Sequence, residues 1–196
     1  MDKLIKATAA DGQLRVFAAV TTDVVAEAMR RHDCWPVAAA ALGRTMTGAL
    51  LFAANLKNKE SVTIKFKGDG PLGTVTADAT AEGSVRGCVD HPHVHLPLNA
   101  HGKIDVGGGI GQGILSVTRF TGLKEPVTGS VNIVSGEIAD DLIHYLYTSD
   151  QTPSSIGLGV LVSPEVQCLG AGGFFVQPLP GASDAVIDRL EANLKG

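Results

Sequence analysis

The order of apolar and polar positions divides the chain into a helical opening behind a hairpin, a strand-rich middle and a helical end. Residues 1–20 read as two short strands hinged at Asp11-Gly12, a pair that tolerates the positive φ of a hairpin turn. Thr22 is placed to cap a helix from Asp23 to about Arg31, with Val24, Val25, Ala28 and Met29 along one face. From Pro36 to Leu56 a second helix is apolar on nearly every side, which predicts a buried helix or a binding surface that is covered.

From Ser61 the period shortens to two. Val62 to Lys67 alternates cleanly, the turn Gly68-Asp69-Gly70-Pro71 follows, and Gly73–Ala79 and Ser84–Val89 continue the style. Ile114–Phe120 and Val127–Val134 flank a Lys124-Glu125-Pro126 turn, and such even spacing predicts antiparallel pairing. A helix is expected from Glu137 to Thr148, then strands over Ser154–Ser163 and Gly170–Gln177, with Pro178–Gly181 as a breaker. Ser183 to Gly196 reads as a capped amphipathic helix with Val186, Ile187, Leu190 and Leu194 on one stripe. So short a helix is marginal alone, so its stripe needs a partner on this domain or on another chain. The predicted class is α+β. One core domain over residues 1–180 packs antiparallel or mixed sheets with helices, and residues 181–196 begin a helical linker.

Composition narrows the function. In 196 residues, 44% hydrophobic and 18% charged is ordinary globular composition. A net charge of -4 without a block of Lys and Arg lacks the electrostatic footprint of a nucleic-acid binder, and 5% aromatics offers little for base stacking. The segment Val37–Ala54 carries Arg44 among alanines, glycines and threonines, too weakly hydrophobic to predict a membrane span. Charges within the first six residues speak against a secretory signal, and three scattered cysteines, Cys34, Cys88 and Cys168, do not form a disulfide framework. The expected location is the reducing cytoplasm.

Candidate chemistry is sparse. The cluster Val106-Gly107-Gly108-Gly109-Ile110-Gly111-Gln112-Gly113 fits neither a G-x-G-x-x-G fingerprint nor a P-loop and reads as a flexible loop entering a strand. There is no G-x-S-x-G elbow and no H-E-x-x-H helix. Glu137, Asp140 and Asp141 sit where a helix dipole favours negative charge, which accounts for them without catalysis. In CVDHPHVHLP, His91, His93 and His95 alternate, so an extended backbone would set three imidazoles on one face, with Cys88, Asp90, His101 or Asp105 as a fourth ligand. Pro92 and Pro97 instead make the segment an edge or a loop, where histidines are commonly solvated. A metal-binding protein or metal-dependent enzyme built on these three histidines is the alternative reading. The leading one has no catalytic and no metal-ligating residues.

Ordered motifs along nearly the whole chain carry a resemblance. Ala7-Thr8-Ala9-Ala10-Asp11-Gly12, Ala41-Leu42-Gly43-Arg44 and Lys67-Gly68-Asp69-Gly70-Pro71-Leu72-Gly73 are similar to successive signatures of the 33 kDa chaperonin family. So are His91–Asn99, Val134–Ala139, Asp150–Ser154, Gly157–Val162 and Ala171–Phe174. The resemblance implies an ATP-independent holdase, not an enzyme, that binds partly unfolded clients and prevents their aggregation under oxidative and heat stress. A homodimer is expected on separate grounds, from the unpartnered stripe of Val186, Ile187, Leu190 and Leu194. Family members continue through a helical linker into a zinc module with C-x-C and C-x-x-C cysteines. None of the three cysteines here matches those positions, so the family's zinc and disulfide switch is expected outside these residues. Holding clients requires apolar surface that can be exposed or covered. The candidates are Leu50, Leu51 and Phe52 on the apolar helix, and Val186, Ile187, Leu190 and Leu194 on the terminal stripe.

Overall fold

In the computed structural model, which describes residues 1–57 and 59–194, the first hairpin pairs β1 (Lys3–Ala9) with β2 (Leu14–Val20). Asp11 and Gly12 adopt the positive φ that the turn requires, 53° and 82°. Helix α1 (Thr22–His32) follows, but no threonine hydroxyl caps it. The carboxylate of Asp2 accepts from the Asp23 and Val24 amides at 2.9 and 2.8 Å, so the cap is borrowed from the chain's opening residues. Helix α2 (Pro36–Ala53) starts on a proline, whose missing N–H costs nothing at that position.

The middle of the chain is β3 (Ser61–Gly68), β4 (Thr74–Thr80), β5 (Val85–Val89), a short helix α3 (Val106–Ile110), β6 (Gly113–Phe120) and β7 (Val127–Asn132). Then come α4 (Ala139–Thr148), β8 (Ser155–Val162), β9 (Cys168–Pro178) and α5 (Asp184–Leu194). All pairings are antiparallel, in one sheet ordered β1-β2-β9-β8 and another ordered β5-β4-β3-β6-β7.

The core lies between the sheets, and α2 is its axis. Residues on every side of α2 are buried, from Val37 through Ala53. Its length and composition would let it cross a membrane, yet 89% of it is buried inside this fold. The inner faces of both sheets close on it, Phe17, Ala19, Ala171 and Phe175 from one and Ile64, Phe66, Ala77 and Val117 from the other. Glycines set the approach. A Cβ on Gly43 would lie 2.7 Å from a Val25 methyl and 2.9 Å from a Val160 methyl, so α1 and β8 come as near as they do only because that position is bare.

The glycine cluster departs from its reading as a loop. Asp105 Oδ1 accepts from the Gly108 amide at 2.8 Å and caps the single turn of α3. That turn is pressed against the Lys67–Gly73 segment, where a Cβ on Gly70 would collide with the Gly109 and Ile110 carbonyls, and a Cβ on Gly109 would meet Val37 and Leu72 at 2.7 and 2.9 Å. Two glycine-rich motifs, distant in sequence, are therefore one packing contact.

Candidate functional site

Two of the acidic trio, Glu137 and Asp141, are built into structure, while Asp140 is exposed in the first turn of α4. Asp141 is fully buried and accepts from the Val134 and Ser135 amides at 2.6 and 3.1 Å and from the Ser135 hydroxyl at 3.3 Å. Glu137 takes the Arg44 guanidinium at 2.7 Å and the Gly107 amide at 3.3 Å, tying α2 and α3 to the segment before α4. Ile138, at φ 67° and ψ -60°, forms a γ-turn in which Glu137 O accepts from Ala139 N at 2.8 Å, so α4 begins two residues later than the charge pattern predicts. Glu137 and Asp141 serve by hydrogen bonding the incoming turn, while Asp140 keeps the position in the first turn of α4 where the helix dipole favours negative charge.

The histidines do not gather. His91, His93 and His95 are exposed on an irregular segment that follows β5, while Val94 between them is buried and Leu96 packs on the core. His93 Nε2 meets the Asp33 carboxylate at 2.8 Å and its ring leans on Trp35 with centroids 5.6 Å apart. Among the described residues no three His, Cys, Asp or Glu side chains converge as a metal site would need. The cysteines fit no zinc set either: Cys34 is buried at the α1–α2 junction, Cys88 is exposed on β5 and Cys168 starts β9.

Of the proposed client contacts, Leu50, Leu51 and Phe52 lie in the core, at 6%, 0% and 7% exposure. They are apolar because they fill the space between the sheets, although Leu50 also lines one surface cleft and Leu51 and Phe52 line another. Phe52 packs on Tyr145 and Phe175, with ring centroids 6.3 and 6.2 Å away. The α5 stripe differs: Val186, Ile187 and Leu190 are half-buried, Leu194 is exposed, and no residue of α5 is fully buried.

The apolar surface that sequence reasoning missed is the outward face of the four-stranded sheet. Strand alternation places Ile5, Ala7 and Ala9, then Val16, Ala18 and Val20, then Gly172 and Phe174, then Gly157, Gly159 and Leu161 on that face. Ile5, Val20 and Leu161 are 58%, 50% and 62% exposed. The space above β8 and β9 is open, since a Cβ on Gly159 or Gly170 would meet no atom within 4 Å. At the other end Leu14 and Val176 are buried, and Gln13 Oε1 accepts from the Ser183 amide at 2.8 Å, anchoring the entry to α5 there. The signal was present in Ser155–Val162 and Gly170–Gln177, which are apolar or glycine at both parities, although a strand with one wet face should alternate.

The opposite face of the molecule is its counterpart. Ser61, Thr63, Lys65 and Lys67 alternate outward from β3, beside Thr74, Thr76 and Asp78 of β4. Cross-strand hydroxyl pairs join Ser116 to Ser130 at 3.0 Å and Thr118 to Thr128 at 2.9 Å.

A fold that turns a broad apolar sheet face outward, with Ile5, Val20 and Leu161 exposed on it, has the surface of a protein that binds other chains. Residues 2–196 match the model of the Hsp33 protein family, and the chain belongs to it. It is 53% identical over 194 residues to a 33 kDa chaperonin of Desulforamulus reducens, covering 99% of this chain and 66% of that one. A 33 kDa chaperonin of Bacillus licheniformis is also 53% identical, over 99% of this chain and 68% of its own. The crystal structure of the 33 kDa chaperonin of Thermotoga maritima, heat shock protein 33 homolog, superposes with a TM-score of 0.93 at 42% identity, over 97% of this chain and 66% of that one. The chain thus spans about two thirds of the length of the relatives it matches.

Proposed function

We propose that this chain holds partly unfolded proteins without ATP or a bound cofactor, as a client-binding core of a cytoplasmic chaperone active under heat and oxidative stress. Its family supports the class of activity. The observation that carries the site is the outward face of the four-stranded sheet, where Ile5, Val20 and Leu161 stand exposed among glycines and alanines. An unfolding client presents apolar segments, and covering them on such a face removes both surfaces from water. Small residues leave the face flat, which suits clients of unrelated sequence. The half-buried stripe of α5 lies beyond the end of β9, and its pairing with a second copy would give a homodimer with two such faces.

Light scattering of a thermally unfolding client tests the reading. The chain is expected to suppress scattering at near-stoichiometric ratios, and Val20→Lys with Leu161→Lys is expected to abolish most of that suppression while leaving the melting curve in place. Unchanged suppression by the double variant would remove this face from the account, and no suppression by the unaltered chain would remove the activity.

A further inference from the structure

The free edge of β1 can be assigned from bonds elsewhere in its sheet. Thr21 N donates to Ala171 O at 2.9 Å and Leu179 N donates to Gln13 O at 2.8 Å, so at both ends of the β2–β9 pairing it is the odd-numbered residues that bond β9. Residues along an antiparallel strand alternate between bonding one neighbour and the other. Leu14, Val16, Ala18 and Val20 therefore bond β1, through Ala9, Ala7, Ile5 and Lys3. That leaves Leu4, Lys6 and Thr8 with N–H and C=O directed away from the sheet, and among the described residues β1 pairs with β2 alone.

Beside the Leu4 end of this edge lies an open cleft of about 410 Å³ between the two sheets, lined by Leu4, Val20, Val24 and Leu50 and closed on the far side by Gly83 and Ser84 before β5. Leu4 itself is turned inward and packs against the core.

We infer that the edge of β1 takes an extended segment of an unfolded client as a fifth strand of the sheet, with one apolar side chain of that segment entering the cleft. The inference rests on the holdase reading and names its mode of binding. A residue opposite Leu4 in an added strand shares the face of Leu4, so its side chain points at Val24 and Leu50. The three unpaired backbone positions call for a partner with a free row of amides and carbonyls, which an unfolded chain offers along its whole length. Charge selects against the nearest competitor. β1 carries Lys3 and Lys6, and the Asp2 carboxylate that also lines the cleft is taken up by the Asp23 and Val24 amides, which opposes pairing with the β1 of a second copy and favours segments that bear carboxylates. Leu50 thereby regains a part in client binding: it touches the client through the cleft, not by leaving the core.

Amide hydrogen exchange read residue by residue on the chain tests this, with a short peptide of alternating valine and glutamate as the probe. Binding is expected to slow exchange at Leu4, Lys6 and Thr8 by about fivefold or more for each hydrogen bond gained. Lys6→Pro removes an amide that the β1–β2 ladder does not use, so the fold is retained while peptide affinity falls by about fivefold or more. Bound peptide with unchanged exchange at the three amides, or with full affinity for the proline variant, would overturn strand addition and leave the holdase reading standing. If neither peptide nor client binds the unaltered chain, the holdase reading fails and takes this one with it. The exchange measurement needs no substitution, so it decides the matter even if the proline variant proves unstable.

Discussion

Asp141 shows how one residue reverses an expectation. By position it is a helix-start carboxylate; in the structure it is a buried acceptor for two amides and a hydroxyl. Its removal strands the Val134 and Ser135 amides, at about 1–3 kcal/mol for each unsatisfied group. Asp141→Ala is expected to lower the urea-unfolding free energy by about 2 to 4 kcal/mol, and Asp141→Asn by less, because one acceptor oxygen survives. Such a role is invisible in sequence, since the amides it serves belong to the turn before α4 and not to the helix itself. Cys34 gives a second test at this scale. Burial pushes its thiol from 9.0 up to about 11, with the nearby Asp33 carboxylate adding to the rise. The unfolded chain therefore loses this proton before the folded one does, so stability declines as pH rises from about 9 to about 11, by about 1.4 kcal/mol per unit at most. Urea titrations across that range on the chain and on Cys34→Ala should show the extra slope only where the thiol is present. With a thiol-specific reagent at neutral pH, Cys88, exposed on β5, should react first and Cys34 only as the protein opens.

Most elements could be read from their periodicity. The strands from Ser61 to Val134 and the helices around Val25 and Leu142 alternate or repeat as their burial demands, and α2, apolar all round, reads as a buried helix or a covered binding surface and lies buried. Two things resisted. The short helix α3 is composed of poor helix formers and exists because its glycines dock on the Lys67–Gly73 segment, a contact that no local pattern encodes. The apolar outer face could not be distinguished from core, because an exposed apolar strand and a sandwiched one carry the same residues. The approach of α1 and β8 to α2 is tested at Gly43. Gly43→Val gains helix propensity of a few tenths of a kcal/mol but drives its branches into Val25 and Val160. A net loss of about 1 to 3 kcal/mol is expected, seen as a lower thermal midpoint with unchanged far-ultraviolet dichroism below it.

At the scale of the molecule, α2 runs between two sheets that, among the described residues, do not pair with each other, and α1 and α4 also touch both. Neither sheet keeps a core without α2, so the two are expected to melt together. Calorimetry should give one transition whose calorimetric and van't Hoff enthalpies agree, and two resolved transitions would show that each sheet holds its own core. The two outer faces then acquire a joint meaning. One is a floor of glycine, alanine and valine; the other is mainly serine, threonine and lysine carrying its own hydrogen bonds, with Ile114 and Phe120 at its two ends. A chain that adheres to denatured protein by the first face must turn the second to the water. Molecules gathered on a growing particle would then dress it in hydroxyls and ammonium groups, so that the particle behaves as a dispersed colloid whose coat resists coalescence.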